Sequence, residues 1–202
     1  YLINDLKWFT FTRNNPNDKF NTPLLLPAPW DHQNTALNHW WQNGGKGLIE
    51  MATGTGKTHV AFLAIEKLAI ELKRPPKVMV VSDTRQLLVQ WKNSFYEAFS
   101  FEPDVKWFET RTAMGLIRED LSKLDVDLLI LDEIHKLLGN QFKKSLQITA
   151  KYKMCLSATV QPGTINFIEK HIGKKVYSYT LKEAVNDGVI VPFTLKIFIV
   201  NL

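Results

Sequence analysis

The chain has 202 residues, 45% hydrophobic and 22% charged, the proportions of a soluble globular protein with room for one full core and a short extension. No apolar run reaches the length of a membrane span and no signal-peptide pattern opens the sequence. The single cysteine, Cys155, excludes an internal disulfide, so we expect a reducing intracellular location, the cytoplasm or, in a eukaryote, the nucleus. A formal net charge of +5 and a pI near 9.2 fit a nucleic-acid partner and a mildly basic surface equally well.

Residues 1–29 read as a lead-in segment, with a loop at Asn14–Asp18 and an extended stretch set by Pro23, Pro27 and Pro29. Asp31 is suited to cap a helix through Ala36, Leu37, Trp40 and Trp41, which Asn43-Gly44-Gly45 would end. An apolar run, Gly47 to Met51, leads into Ala52-Thr53-Gly54-Thr55-Gly56-Lys57-Thr58, and apolar residues at helical spacing follow. Strand, glycine-rich turn and helix in that order, ending in Gly-Lys-Thr, is the context of a phosphate-binding loop. There backbone N–H groups close on phosphate oxygens, Lys57 reaches the β- and γ-phosphates, and the Thr58 hydroxyl is a ligand for Mg²⁺. The first position of the general pattern is Gly; here it is Met51.

Val78 to Ser82 reads as a buried strand, followed by a helix from about Arg85 to Phe99 with Leu87, Leu88, Trp91 and Phe95 inward. A short strand is expected near 105–110 and a helix over Met114–Lys123. Asp127 to Leu131 is a strong central strand running into Asp132-Glu133-Ile134-His135. Asp132 can hold Mg²⁺ there, and Glu133 can accept the proton of an attacking water. Phe142 to about Thr149 reads as helix. A further strand, Lys153–Leu156, ends at Ser157-Ala158-Thr159; then come a helix over Ile165–His171, a strand over Val176–Tyr179 and a short helix ended by Gly188. The alternation predicts an α/β fold with a mostly parallel sheet covered on both faces. Cys155, inside an apolar run, reads as a core residue.

These motifs together resemble the first RecA-like domain of a superfamily 2 helicase or translocase of the DExH type, over roughly residues 30–193. Met51 to Thr58 is similar to motif I, Asp132 to His135 to motif II and Ser157 to Thr159 to motif III. Ser82 to Leu87, with Gln90-Trp91, resembles motif Ia, and Gln33 resembles the adenine-reading glutamine. Asn43 to Met51 and Leu181 to Phe193 resemble the excision-repair, phage-translocase and restriction-motor branch.

The resemblance implies a RecA-like P-loop three-layer sandwich that uses ATP and Mg²⁺ and acts as an ATP hydrolase. It would be the first motor domain of a helicase or duplex-DNA translocase in repair, restriction or phage defence. Catalytic roles fall to Lys57, Asp132 and Glu133; nucleotide contacts to Gln33, Thr53, Gly54, Thr55, Gly56, Lys57 and Thr58; and metal binding to Thr58 and Asp132. Coupling would involve His135, for which a structural hydrogen bond is the alternative, with Ser157 and Thr159. Thr84, Arg85 and Thr110 would meet nucleic acid, a helix N-terminal role being the alternative for the first two.

The sequence departs from the family pattern at Trp30-Asp31-His32, where an Arg and an aromatic usually precede the glutamine, and at Asp83, where a Pro is usual. No motif of a second RecA-like domain is present, and residues 194–202 read as the start of a linker. A longer chain or a partner subunit is therefore expected to supply that domain. The alternatives are a non-catalytic RecA-like nucleotide- or DNA-binding or partner-docking module, and an RNA helicase domain.

Overall fold

An unbroken apolar strand needs cover on both faces, and the computed structural model, which describes residues 26, 28–99, 105–117, 120, 121, 124–133 and 144–192, shows that cover. The chain runs α1 (Asp31–Gln42), β1 (Lys46–Met51), α2 (Lys57–Leu72), β2 (Val78–Ser82), α3 (Arg85–Phe99), β3 (Phe108–Thr112), α4 (Ala113–Leu116), β4 (Val126–Asp132), β5 (Ala150–Ser157), α5 (Pro162–His171), β6 (Lys175–Tyr179) and α6 (Leu181–Asn186). The six strands form one sheet in the order β3-β2-β4-β5-β1-β6. Every pairing is parallel, so the mostly parallel sheet expected from the sequence is wholly parallel among the described residues.

Side chains along each strand alternate between two cores. Ile49, Met51, Val78, Val80, Leu128, Ile130, Met154 and Leu156 face one core, which α1, α2 and α3 fill with Trp40, Phe62, Trp91, Phe95 and Phe99. Leu48, Met79, Val81, Leu129, Leu131 and Cys155 face the other, closed by Leu116 and Ile168. The first core is aromatic: Phe62 meets Trp91, Phe95 and Phe99 edge-on at centroid separations of 5.7, 5.9 and 5.4 Å. Each such pair adds about 0.5–1.5 kcal/mol to the burial itself. Cys155 is fully buried, and burial pushes its thiol far above the ordinary range, as a core residue requires.

Three local expectations are corrected. The helix expected over Met114–Lys123 is confined, in the described part of that stretch, to Ala113–Leu116, where the Thr112 hydroxyl caps the turn by accepting the Gly115 N–H at 3.1 Å. The neighbouring strand runs later than expected, over Phe108–Thr112, because it registers against all of β2. Asp31 does not cap α1. Trp30 holds the extended N-cap geometry, and its N–H is taken by Gln33 Oε1 at 3.0 Å. Asp31 instead sits in the first turn, where its charge favours the helix dipole. The lead-in over residues 1–29, the helix expected from Phe142, His135 and the linker start expected at 194–202 fall wholly or partly outside the described residues.

Candidate functional site

The carboxyl ends of β1, β5 and β4 lie side by side in the sheet, and each carries one of the sequence motifs. Strand β1 ends at Met51 and the chain turns through Gly54 (φ 85°) and Gly56 (φ 83°), both left-handed, before α2 starts at Lys57. Only glycine takes that conformation without strain. A Cβ on Gly56 would also collide with the amide nitrogen of Gln33. Thr55 is fully buried and closes the turn, its hydroxyl donating to the Ala52 carbonyl at 2.7 Å. The first turn of α2 holds no acidic residue, so its positive dipole end stays available to an anion. Lys57 Nζ donates to the Met51 carbonyl at 3.0 Å, folded back over the loop. Burial lowers its pKa, while the charges of Glu133 and Asp132 oppose that fall.

Two residues of α1 brace the loop from the side. Gln33 Nε2 donates to the Thr55 carbonyl at 3.1 Å, and His32 Nε2 lies 2.8 Å from the same oxygen. His32 is stacked on Tyr179 of β6, with ring centroids 4.4 Å apart and planes 7° from parallel. Gln33 is buried between the Trp30 N–H and the loop, so it supports the phosphate-binding turn directly. Beyond it lies a cavity of about 560 Å³ lined by Trp30, Asp31, His32, Asp187, Gly188 and Val189.

Asp132 ends β4, in register with Leu156 of β5, and is 8% exposed. Burial pushes its carboxyl above the ordinary carboxylate range. A hydrogen bond from Trp91 and the charge of Lys57 pull it back, and the charge of Glu133 adds to the rise. The Trp91 contact is short and buried, with Nε1 donating to Asp132 Oδ2 at 2.7 Å. Glu133 follows with φ 50°, a left-handed conformation uncommon outside glycine. Thr53, Gly54, Lys57, Thr58, Asp132 and Glu133 all line one cavity of about 460 Å³, closed on its far side by Leu87, Gln90, Trp91 and Ser94 of α3.

Strand β5 lies directly between β1 and β4, which puts Ser157 between the glycine-rich loop and the acidic pair. The Ser157 hydroxyl donates to the Thr159 carbonyl at 3.0 Å, so the two residues expected to couple hydrolysis to movement form one closed turn. Glu50, which the sequence reading left without a role, ties this turn to β1. Its carboxylate accepts the Val160 N–H and the Lys175 ammonium, each at 2.9 Å.

The residues expected to meet nucleic acid are placed unevenly. The Thr84 hydroxyl accepts the Leu87 N–H at 3.3 Å, a helix-capping contact. Arg85 is exposed and lines a separate cavity with Asp83, Thr112 and Met114. Thr110 of β3 pairs with Val80 of β2, away from that opening, whereas Thr112 stands at its edge. The sequence signal for Trp91 is its inward spacing and its place after Gln90 in the motif Ia resemblance, whereas Thr112 lies beyond the strand expected to end near 110.

The sequence profile of the family described as "Type III restriction enzyme, res subunit" matches residues 27–120. The fold is that of the RecA-like domains of helicases. Among curated proteins it is 24% identical over 167 residues to the type I restriction enzyme EcoAI endonuclease subunit of Escherichia coli, covering 72% of this chain and 20% of that protein. It is 25% identical over 166 residues to the DNA 3'-5' translocase XPB2 of Sulfurisphaera tokodaii, covering 76% and 36%. The fold matches a nuclease-deletion mutant of the type ISP restriction-modification enzyme LlaGI in complex with a DNA substrate mimic. The TM-score is 0.62 at 17% identity, over 81% of this chain and 21% of that one. The RecA-like domain thus spans between 20% and 36% of the length of these curated relatives. Among the described residues no helix is long and apolar enough to cross a membrane.

Proposed function

We propose that the chain is the ATP-binding first motor domain of an ATP-dependent DNA helicase or duplex-DNA translocase, with residues 30–193 as the RecA-like unit. The observation that carries this reading is the meeting of Lys57, Thr58, Asp132 and Glu133 around one cavity beneath a glycine turn. That set comes from one helix start and the end of one strand, and ATP hydrolysis needs each of its chemistries. The loop N–H groups and the α2 N-terminus hold the phosphates, and Lys57 leaves the Met51 carbonyl to meet the terminal ones. Glu133, one residue beyond the metal carboxylate, accepts the proton of the attacking water.

The residues present fit Mg²⁺. Thr58 and Asp132 offer hard oxygen donors, and the hydrogen bond to Asp132 from Trp91 comes from a neutral donor, which leaves the carboxylate charge in place. When bound, the ion would neutralise charge on the phosphates. The adenine would lie on the Gln33 side of the loop, toward the cavity bounded by Trp30 and Val189. Duplex DNA as partner rests on relatives named as a DNA translocase and a DNA-bound restriction enzyme. A second RecA-like domain, in the same longer chain or a partner subunit, would complete the charge stabilisation that turnover requires. A reducing cytoplasmic setting fits the one buried thiol.

Equilibrium binding of Mg-ATP to this chain and to Lys57→Ala, with and without duplex DNA, tests the reading. Binding should weaken at least about tenfold in the variant, since a phosphate-facing charge is lost. Equal affinity of the two proteins would overturn it.

A further inference from the structure

We propose that Trp91 is a positioning residue for Asp132, fixing the orientation of the metal-binding carboxylate from helix α3; this rests on the nucleotide site proposed above. Three observations meet at this side chain. Its indole N–H is 2.7 Å from Asp132 Oδ2, between elements 41 residues apart in sequence, and the contact is buried. Its ring stands edge-on to Phe62 of α2, the helix that follows the phosphate-binding loop, with planes at 86°. It lines the nucleotide cavity itself, beside Leu87, Gln90 and Ser94. The indole is therefore clamped by its ring and spends its only donor on the carboxylate.

The choice of donor is informative. A lysine or arginine at this place would orient Asp132 equally well, but it would neutralise the charge that has to attract Mg²⁺. An indole N–H orients the oxygen and leaves the negative charge in place. A phenylalanine would pack against Phe62 but leave a buried carboxylate one donor short. The same helix begins at Arg85, next to Asp83 and the opening lined by Thr112. A shift of α3 would thus move the group that sets Asp132, linking the rim of that opening to the metal site through one rigid helix.

The test uses Trp91→Phe, which keeps the ring and loses the N–H. ATP affinity is measured for wild type and variant with excess Mg²⁺ and again with EDTA. The expected result is a loss of about tenfold in the presence of Mg²⁺ and less than about twofold without it. If both affinities fall by the same factor, the tryptophan is only packing, and the proposal is overturned.

A second measurement needs no nucleotide. In protein labelled at the indole nitrogens, the Trp91 N–H resonance should shift on titration with Mg²⁺ alone. Asp132→Ala should abolish that shift and release the N–H to solvent exchange. A resonance that ignores both Mg²⁺ and the loss of Asp132 overturns the proposal. Wild-type protein that binds no ATP, yet shows the Mg²⁺ shift, would count against the motor reading and leave this one standing.

Discussion

Strand β4 carries an aspartate near each end, and the fold treats the two in opposite ways. At the start, Asp127 receives a two-pronged contact from Arg74, with Nη1 at 2.6 Å and Nη2 at 2.8 Å, and the Lys77 N–H at 2.7 Å. Burial alone would raise its pKa, but the hydrogen bonds from Arg74 and Lys77 outweigh it and hold the carboxyl below the ordinary range. At the far end, Asp132 is more deeply buried and is held by an indole, and its carboxyl is pushed up. One end of the sheet satisfies its charges and is stable for it. The other keeps charge under-compensated, which suits the nucleotide and metal site proposed for it.

This contrast can be broken in several ways. The largest effect is expected at the functional end. Glu133→Gln should lower steady-state ATP turnover of the assembled motor by about 10²–10⁴-fold while nucleotide binding survives. A variant that turned over at the wild-type rate would remove Glu133 from the chemistry. Next in size is a purely structural change at the opposite edge, Gly47→Ala. Gly47 has φ 143°, and an added Cβ would stand 2.6 Å from the Lys174 carbonyl oxygen, which pairs with the Leu48 N–H. Chemical denaturation should show a loss of about 2–3 kcal/mol, and an unchanged unfolding midpoint would mean the β1–β6 edge yields easily.

Asp132→Asn sharpens the comparison with the opposite sign. The folded pKa of Asp132 lies above its unfolded value near 3.9, so the folded state is favoured while the group is protonated and loses stability as pH rises through the folded pKa. Asparagine is neutral throughout. The variant should therefore melt about 2–4 °C higher at pH 7, corresponding to about 1 kcal/mol, with the gain vanishing in acid. A lower melting temperature at pH 7 would show that the carboxylate is structurally satisfied after all.

Arg74→Ala gives the smallest effect. Arg74 is half exposed, so its loss should cost no more than about 1 kcal/mol at pH 7. Because the folded pKa of Asp127 is depressed, that contribution is present above the unfolded value and is lost as pH falls through the folded one. Wild type and variant should then converge in strong acid. Parallel melting curves at every pH would assign the effect to packing of the arginine stem.

The α/β alternation, the glycine-rich turn after β1 and the acidic pair are all legible in the sequence. Those features are local: an apolar run of strand length, glycines where the backbone must turn left-handed, and chemically indispensable side chains at fixed offsets. The sequence also determined that Trp91 faces inward. It could not determine what the indole reaches, because an inward tryptophan has the same spacing whether its N–H meets a core carbonyl or the carboxylate 41 positions away. The brace of His32 and Gln33 on Thr55, and the Glu50 link to Val160, likewise depend on which strands become neighbours. Only the order β3-β2-β4-β5-β1-β6 decided that, placing Ser157 between the loop and the acids and Thr112, not Thr110, at the open rim. Strand order is fixed by packing summed over two whole cores, so no short stretch of sequence encodes it.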